Sequence, residues 1–153
     1  MAGKLQSEIK QTKPFPDKES EALLNIQRTA DFLMQGINEV LKPADLSPTQ
    51  YNVLRILKGA EPDGLACREI GERLITRDPD LTRLLDRMEL RGLVTRTRDA
   101  QDRRVVTVRI ASKGLKSLGR LDAPLRALGK RQFRNLDPGR LSQLIELLES
   151  LRE

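Results

Sequence analysis

The chain has 153 residues, 38% hydrophobic and 33% charged, with a net charge of +6, one cysteine and neither histidine nor tryptophan. That composition excludes histidine general-base catalysis, imidazole metal sites, multi-cysteine zinc sites and intrachain disulfides. No apolar run is long enough to span a bilayer and no secretory signal pattern opens the chain, so the expectation is a cytoplasmic protein with no metal, cofactor or membrane partner.

In chain order, residues 1–16 are polar and basic and end in Lys13-Pro14-Phe15-Pro16, which reads as an extended arm. Phe15 is an anchor, onto another surface or onto its own chain. A first helix runs from Asp17, a capping residue, to about Leu41, with apolar residues at helical spacing from Leu23 to Leu41. Ser47-Pro48 is a cap followed by a proline at the first helical position. It opens a short buried helix that ends before Gly59, followed by the turn Glu61-Pro62-Asp63-Gly64. A further short helix spans Cys67 to Leu74. Asp78-Pro79 repeats the start signal for a helix ending at Gly92, with Leu81, Leu84, Leu85, Met88 and also Leu90 as its inward face. Two short helices with a tight connection form a helix-turn-helix pattern.

After Gly92 the pattern changes to β-branched runs, 93–98 and 105–110, joined by the polar tip Asp99-Ala100-Gln101-Asp102-Arg103-Arg104. This is a wing. Ser112-Lys113-Gly114 opens a long helix to about Asn135, which Pro124 should kink or split. Asp137-Pro138 opens the last helix, whose stripe runs Leu141, Leu144, Ile145, Leu147, Leu148 and Leu151. The fold class is mainly α with a small β wing. The organisation is an arm (1–16), terminal helices (17–45 and 112–153) and a winged helix-turn-helix (46–111). The three Phe and one Tyr leave the core aliphatic. A lone domain with so lean a core is marginal, so the terminal helices are expected to bury apolar area against a second copy.

Of 19 arginines and nine lysines, 11 arginines and no lysine fall within 66–109, among eight acids. Arginine-only chemistry suits phosphates and guanine edges. The interleaved acids equally allow a solvated, salt-bridged face.

The residues Leu46 to Tyr51, Leu81 to Met88, Gly92-Leu93-Val94, Asp102-Arg103-Arg104 and Ser112-Lys113-Gly114 together resemble the multiple-antibiotic-resistance regulator (MarR) family from about residue 20 onward. Ala111 departs from the family's usual Thr. The resemblance implies a homodimer of intertwined terminal helices. It also implies a pseudo-palindromic double-stranded DNA operator, repression, and release by a small phenolic or anionic effector. Arg104 resembles the wing arginine that enters the minor groove and Asp102 the acid that holds it.

With the core face of the recognition helix assigned, Thr82, Arg83 and Arg87 are left for DNA. Arg83 reads a base or a phosphate; Arg87 meets a phosphate or pairs within its helix near Asp86 or Arg91. Thr76 and Arg77 precede that helix and are placed for phosphate, whereas Asp78 and Asp80 are expected to cap. Arg98 and Arg103 meet phosphate or solvent. Phe32, Met34 and Tyr51 line an effector pocket or simply pack in the core, and Phe133 belongs to the dimer helices. Cys67 is a redox sensor or a small buried apolar residue. The rival function is a winged-helix module that binds an acidic protein without specific DNA binding. No constellation for an enzyme is visible.

Overall fold

The computed structural model describes residues 3–153. The elements are α1 (Lys4–Glu8), α2 (Lys18–Leu41), a 3-10 turn (Lys42–Ala44), α3 (Pro48–Gly59), β1 (Leu65–Ala66), α4 (Cys67–Arg73), α5 (Leu81–Leu90), β2 (Val94–Arg98), β3 (Val106–Ile110), α6 (Ser112–Gln132) and α7 (Pro138–Ser150). They form two compact units, the first ending at Gly36 and the second spanning Ile37–Glu153.

In the first unit the extended reading of residues 1–16 needs correction. Lys4–Glu8 is a helical turn whose Leu5 is buried to 3% exposure, and that burial outweighs the absence of a side-chain cap. Met1 and Ala2 lie outside the described residues. Phe15 is half-buried in a recess shared with Gly3, Gln6 and Glu21, so it packs on its own chain. Asp17 caps α2 as expected: its Oδ1 accepts the Ser20 N–H at 2.6 Å. Those bonds to Ser20 hold its carboxyl below the usual range. Leu23, Leu24, Ile26 and Phe32 remain exposed along α2.

The second unit is built on a three-stranded antiparallel sheet in the order β1-β3-β2. The β2–β3 register runs from Val94↔Ile110 to Arg98↔Val106. The core is aliphatic, as the composition demands, with Leu54, Leu57, Ile70, Leu85, Met88, Leu93, Val94, Val108 and Leu118 fully buried. α3 begins with a complete capping box: the Ser47 hydroxyl accepts the Gln50 N–H at 3.1 Å, and Gln50 Oε1 accepts the Ser47 N–H at 3.0 Å. Gly92, at φ 72°, ends the turn after α5 in a conformation that side chains disfavour. Among the described residues, no helix is long and apolar enough to cross a membrane.

Three expectations about helices change. α5 starts at Leu81, not Pro79, because the Asp78 carboxylate accepts the Asp80 N–H at 2.8 Å and holds a turn there. Asp80 occupies the cap position without making a side-chain cap bond. Leu90 is 88% exposed rather than inward, since it lies beyond the Leu81–Leu84–Leu85–Met88 stripe. Pro124 sits inside an unbroken α6. α7 is capped by Asp137, whose Oδ1 accepts the Arg140 N–H at 2.9 Å, and it buries none of its residues within the chain.

Ala111 occupies the N-cap of α6 with extended backbone and no side chain to receive an amide. Ala111→Ser should therefore stabilise the protein by about 1 kcal/mol. Urea denaturation would show a raised midpoint with unchanged slope; an unmoved midpoint would mean that solvent already satisfies those amides.

Candidate nucleic-acid interface

α5 follows α4 through the exposed connection Ile75-Thr76-Arg77. That connection is held from behind: Asn52 Oδ1 on α3 accepts the Ile75 N–H at 2.9 Å. Leu81, Leu84, Leu85 and Met88 bury one face of α5 in the core. Spacing at i, i+3, i+4 and i+7 then obliges Thr82, Arg83, Asp86 and Arg87 to face outward, and all four are exposed. Arg83 lies 3.6 Å from the Asp80 carboxylate. Arg87 forms no pair with Asp86, whose carboxylate is taken by Arg96 at 2.5 Å.

The wing tip is built by short side chains binding local backbone. Asp99 Oδ1 accepts the N–H groups of Gln101 and Asp102 at 2.7 and 3.1 Å. The main chain closes with Asp99 N–H to Val105 O at 2.9 Å and Val105 N–H to Asp102 O at 3.0 Å. Asp102 then grips Arg104 three ways: Oδ1 accepts its backbone N–H at 3.1 Å and Nε at 3.0 Å, while Oδ2 accepts Nη2 at 3.2 Å. The bond from the Arg104 side chain holds the Asp102 carboxyl below its usual range. The Arg104 side chain is nevertheless 91% exposed. A guanidinium restrained at its root but open to solvent is prepared for an anion, with little side-chain freedom left to lose. Arg98 donates from Nη1 to Arg103 O at 2.8 Å, bracing the same tip, and Arg103 itself is exposed.

The structure divides the arginine-rich segment into two sets, which charge counting could not do. Arg77, Arg83, Arg87, Arg103 and Arg104 are exposed on the recognition helix, its approach and the wing. Arg91 and Arg96 are tied inward, and Arg109, though exposed, is engaged by neighbouring groups. Arg91 donates to the carbonyls of Asp45 (2.6 Å) and Ala44 (3.3 Å). Arg109 binds Pro62 O at 3.2 Å and Thr97 Oγ1 at 3.0 Å. Arg96 bridges Asp86 and Glu89, and Lys113 Nζ donates to Arg91 O at 2.8 Å beyond the end of α5. Sequence reasoning gave these four no role. For Arg96 a signal existed: strand alternation puts it on the same face as the buried Val94.

Of the other assigned residues, Phe32 is exposed and Met34 half-buried on α2 in the first unit. Tyr51 is half-buried on α3 in the second and packs against the core, where burial pushes its phenol above its ordinary pKa. Cys67 is half-buried against that core as well. Phe133 is half-buried at the end of α6.

A sequence profile of the MarR family matches residues 44–105, which takes in the helix-turn-helix and most of the wing. YkoM of Bacillus subtilis, described as an uncharacterized HTH-type transcriptional regulator, is 30% identical over 140 residues, covering 88% of this chain and 89% of that protein. A crystallised MarR transcription factor from Planctomyces limnophilus is 41% identical, with a TM-score of 0.69 over 88% of this chain and 98% of the other. The transcriptional repressor CouR, solved on a 23-mer DNA duplex, is 25% identical with a TM-score of 0.77, covering 92% of this chain and all of that one. Winged helix-turn-helix, exposed arginines on helix and wing, and these relatives converge: the chain belongs to the MarR family of DNA-binding transcriptional regulators.

Proposed function

We propose that this regulator is a homodimeric repressor that places α5 in the major groove and its wing in the adjacent minor groove of a pseudo-palindromic operator. The observation that carries this reading is Arg104, exposed yet fixed on Asp102 at the tip of a closed wing. Minor grooves narrowed by A·T-rich sequence concentrate negative potential and favour such an arginine. Arg83 and Thr82 address base edges near the start of α5. Arg77 and Arg87 meet phosphate, as do Thr76, Arg98 and Arg103. The protein-binding alternative is not favoured, because the outward face of α5 is polar and cationic at Thr82, Arg83 and Arg87.

The dimer reading is supported by apolar side chains left exposed on the terminal helices of one chain. α7 buries none of its residues, and Ile145, Leu147 and Leu151 are exposed, as are Leu23, Leu24 and Ile26 of α2. Release by a small anion is supported by a recess of about 610 Å³ beside α5, where Lys42, Arg87 and Arg91 share the wall with the carboxylates of Glu39 and Asp45. A ligand there would compete with phosphate for Arg87.

Anisotropy titration against the protein's own promoter DNA should show two chains per operator and a preference over random duplex of about 10³-fold or more, steeply reduced by salt. Leu147→Asp, at a position exposed in the single chain, should shift the mass measured by light scattering to the monomer and abolish operator binding. Equal affinity for operator and random duplex would defeat the reading.

A further inference from the structure

The inward face of the wing hairpin carries Val94, Arg96 and Arg98 on β2 against Ile110, Val108 and Val106 on β3. Val94, Val108 and Ile110 are buried; Arg96 stands where that apolar stripe runs out, its side chain 23% exposed. Its stem continues the apolar surface while its head group reaches across to α5. There Nη2 meets Asp86 Oδ1 at 2.5 Å and Glu89 Oε1 at 3.1 Å. Asp86 and Glu89 are three residues apart, so they present their carboxylates from one side of the helix. The bond to Glu89, foremost, holds the Arg96 guanidinium above its ordinary pKa. Two carboxylates on a helix meant for DNA would otherwise repel phosphate, and one partly buried cation offsets part of that charge.

We propose that Arg96 is a positioning residue for DNA recognition. By bridging β2 to Asp86 and Glu89 it sets the wing relative to the recognition helix, so that Arg104 reaches its groove when α5 is seated in its own. The proposal rests on the reading that both elements contact DNA. Arg96 is assigned no base or phosphate of its own, since its Nη2 is engaged with both carboxylates of α5.

The discriminating variant is Asp86→Ala/Glu89→Ala. It removes both acceptors, keeps α5 in its best helix former and raises the net charge by two. Electrostatics alone would tighten binding to every duplex. The bridge predicts instead that operator affinity falls about tenfold while random-duplex affinity holds or rises. Combined with Arg104→Ala, the loss caused by the double variant should shrink to about twofold or less, because the wing it misplaces has nothing left to deliver. Arg96→Lys, which keeps a cation within reach of both carboxylates, should retain most operator affinity, whereas Arg96→Met should behave like the double variant. Operator and random-duplex affinities rising together would overturn the proposal. So would full additivity with Arg104→Ala. If Arg104→Ala alone left operator binding unchanged, the wing's place on DNA would fail instead, and that result is separately visible.

Discussion

Arg104→Ala should weaken operator binding by about 1–3 kcal/mol per wing, hence about 2–6 kcal/mol for a dimer that uses two, a loss of about thirtyfold or more. The expectation follows from what the side chain does in the free protein. It contributes little to folding, because its pair with Asp102 is exposed and screened by solvent. The melting temperature should therefore stay put while the affinity collapses. The two side-chain bonds to Asp102 fix where the guanidinium points, so the wild type gives up little side-chain freedom on binding. Titrations at two salt concentrations separate the possible roles. A minor-groove reader lost from the wing lowers the preference for A·T-rich flanks, whereas a simple phosphate contact lowers operator and random-duplex affinity alike and reduces the salt slope by about one per contact. An unchanged operator affinity would remove the wing from the interface.

Gly114→Ala should be among the conservative changes most damaging to the fold. A Cβ at this position would lie 2.5 Å from the Leu93 carbonyl oxygen, 2.9 Å from Ile110 Cγ1 and 3.1 Å from Leu54 Cδ2. The nearest obstacle is backbone, and it is backbone already engaged, because Leu93 O accepts the Ala111 N–H at 2.9 Å. Leu54 is fully buried and cannot swing away. Relief requires α6 to retreat from the root of the wing. Overpacking of this kind costs about 1–3 kcal/mol, and each kcal/mol lowers the melting temperature of a chain this size by about 2–4 °C. Because the retreat moves β2 and β3, operator affinity should fall together with stability, whereas Arg104→Ala lowers affinity alone. An unchanged melting temperature would mean that α6 is freer to shift than its packing indicates. The neighbouring Gly119 offers the control, since nothing lies within 4 Å of its would-be Cβ and Gly119→Ala should stabilise through helix propensity alone.

Local rules made much of this architecture legible before any coordinates. A capping serine followed by proline announced α3 at Pro48, and Asp137-Pro138 announced α7, because cap and proline act within one turn of chain. The four inward residues of α5 followed from spacing, and with them the outward set that includes Arg83 and Arg87. β-branched runs around a polar tip marked the wing, and the resemblance carried by Asp102-Arg103-Arg104 pointed to the arginine proposed as its reader.

What the chain alone could not reveal were matters of partner placement. Two residues, Leu65 and Ala66, carry no strand signal of their own and become β1 only because Val108 and Thr107 of β3 lie alongside. Pro79 looked like a helix start until the Asp78 carboxylate was seen to hold the Asp80 amide in a turn. Arg96 and Arg104 are chemically the same residue in the same basic segment. One is drawn inward by two carboxylates from another element and the other stands in solvent on a local brace. Periodicity and capping are short-range and are written in neighbouring residues; the destination of a long charged side chain depends on which distant groups the fold brings within about 3 Å of it, and that is decided only when the sheet, the recognition helix and α6 have closed on one core.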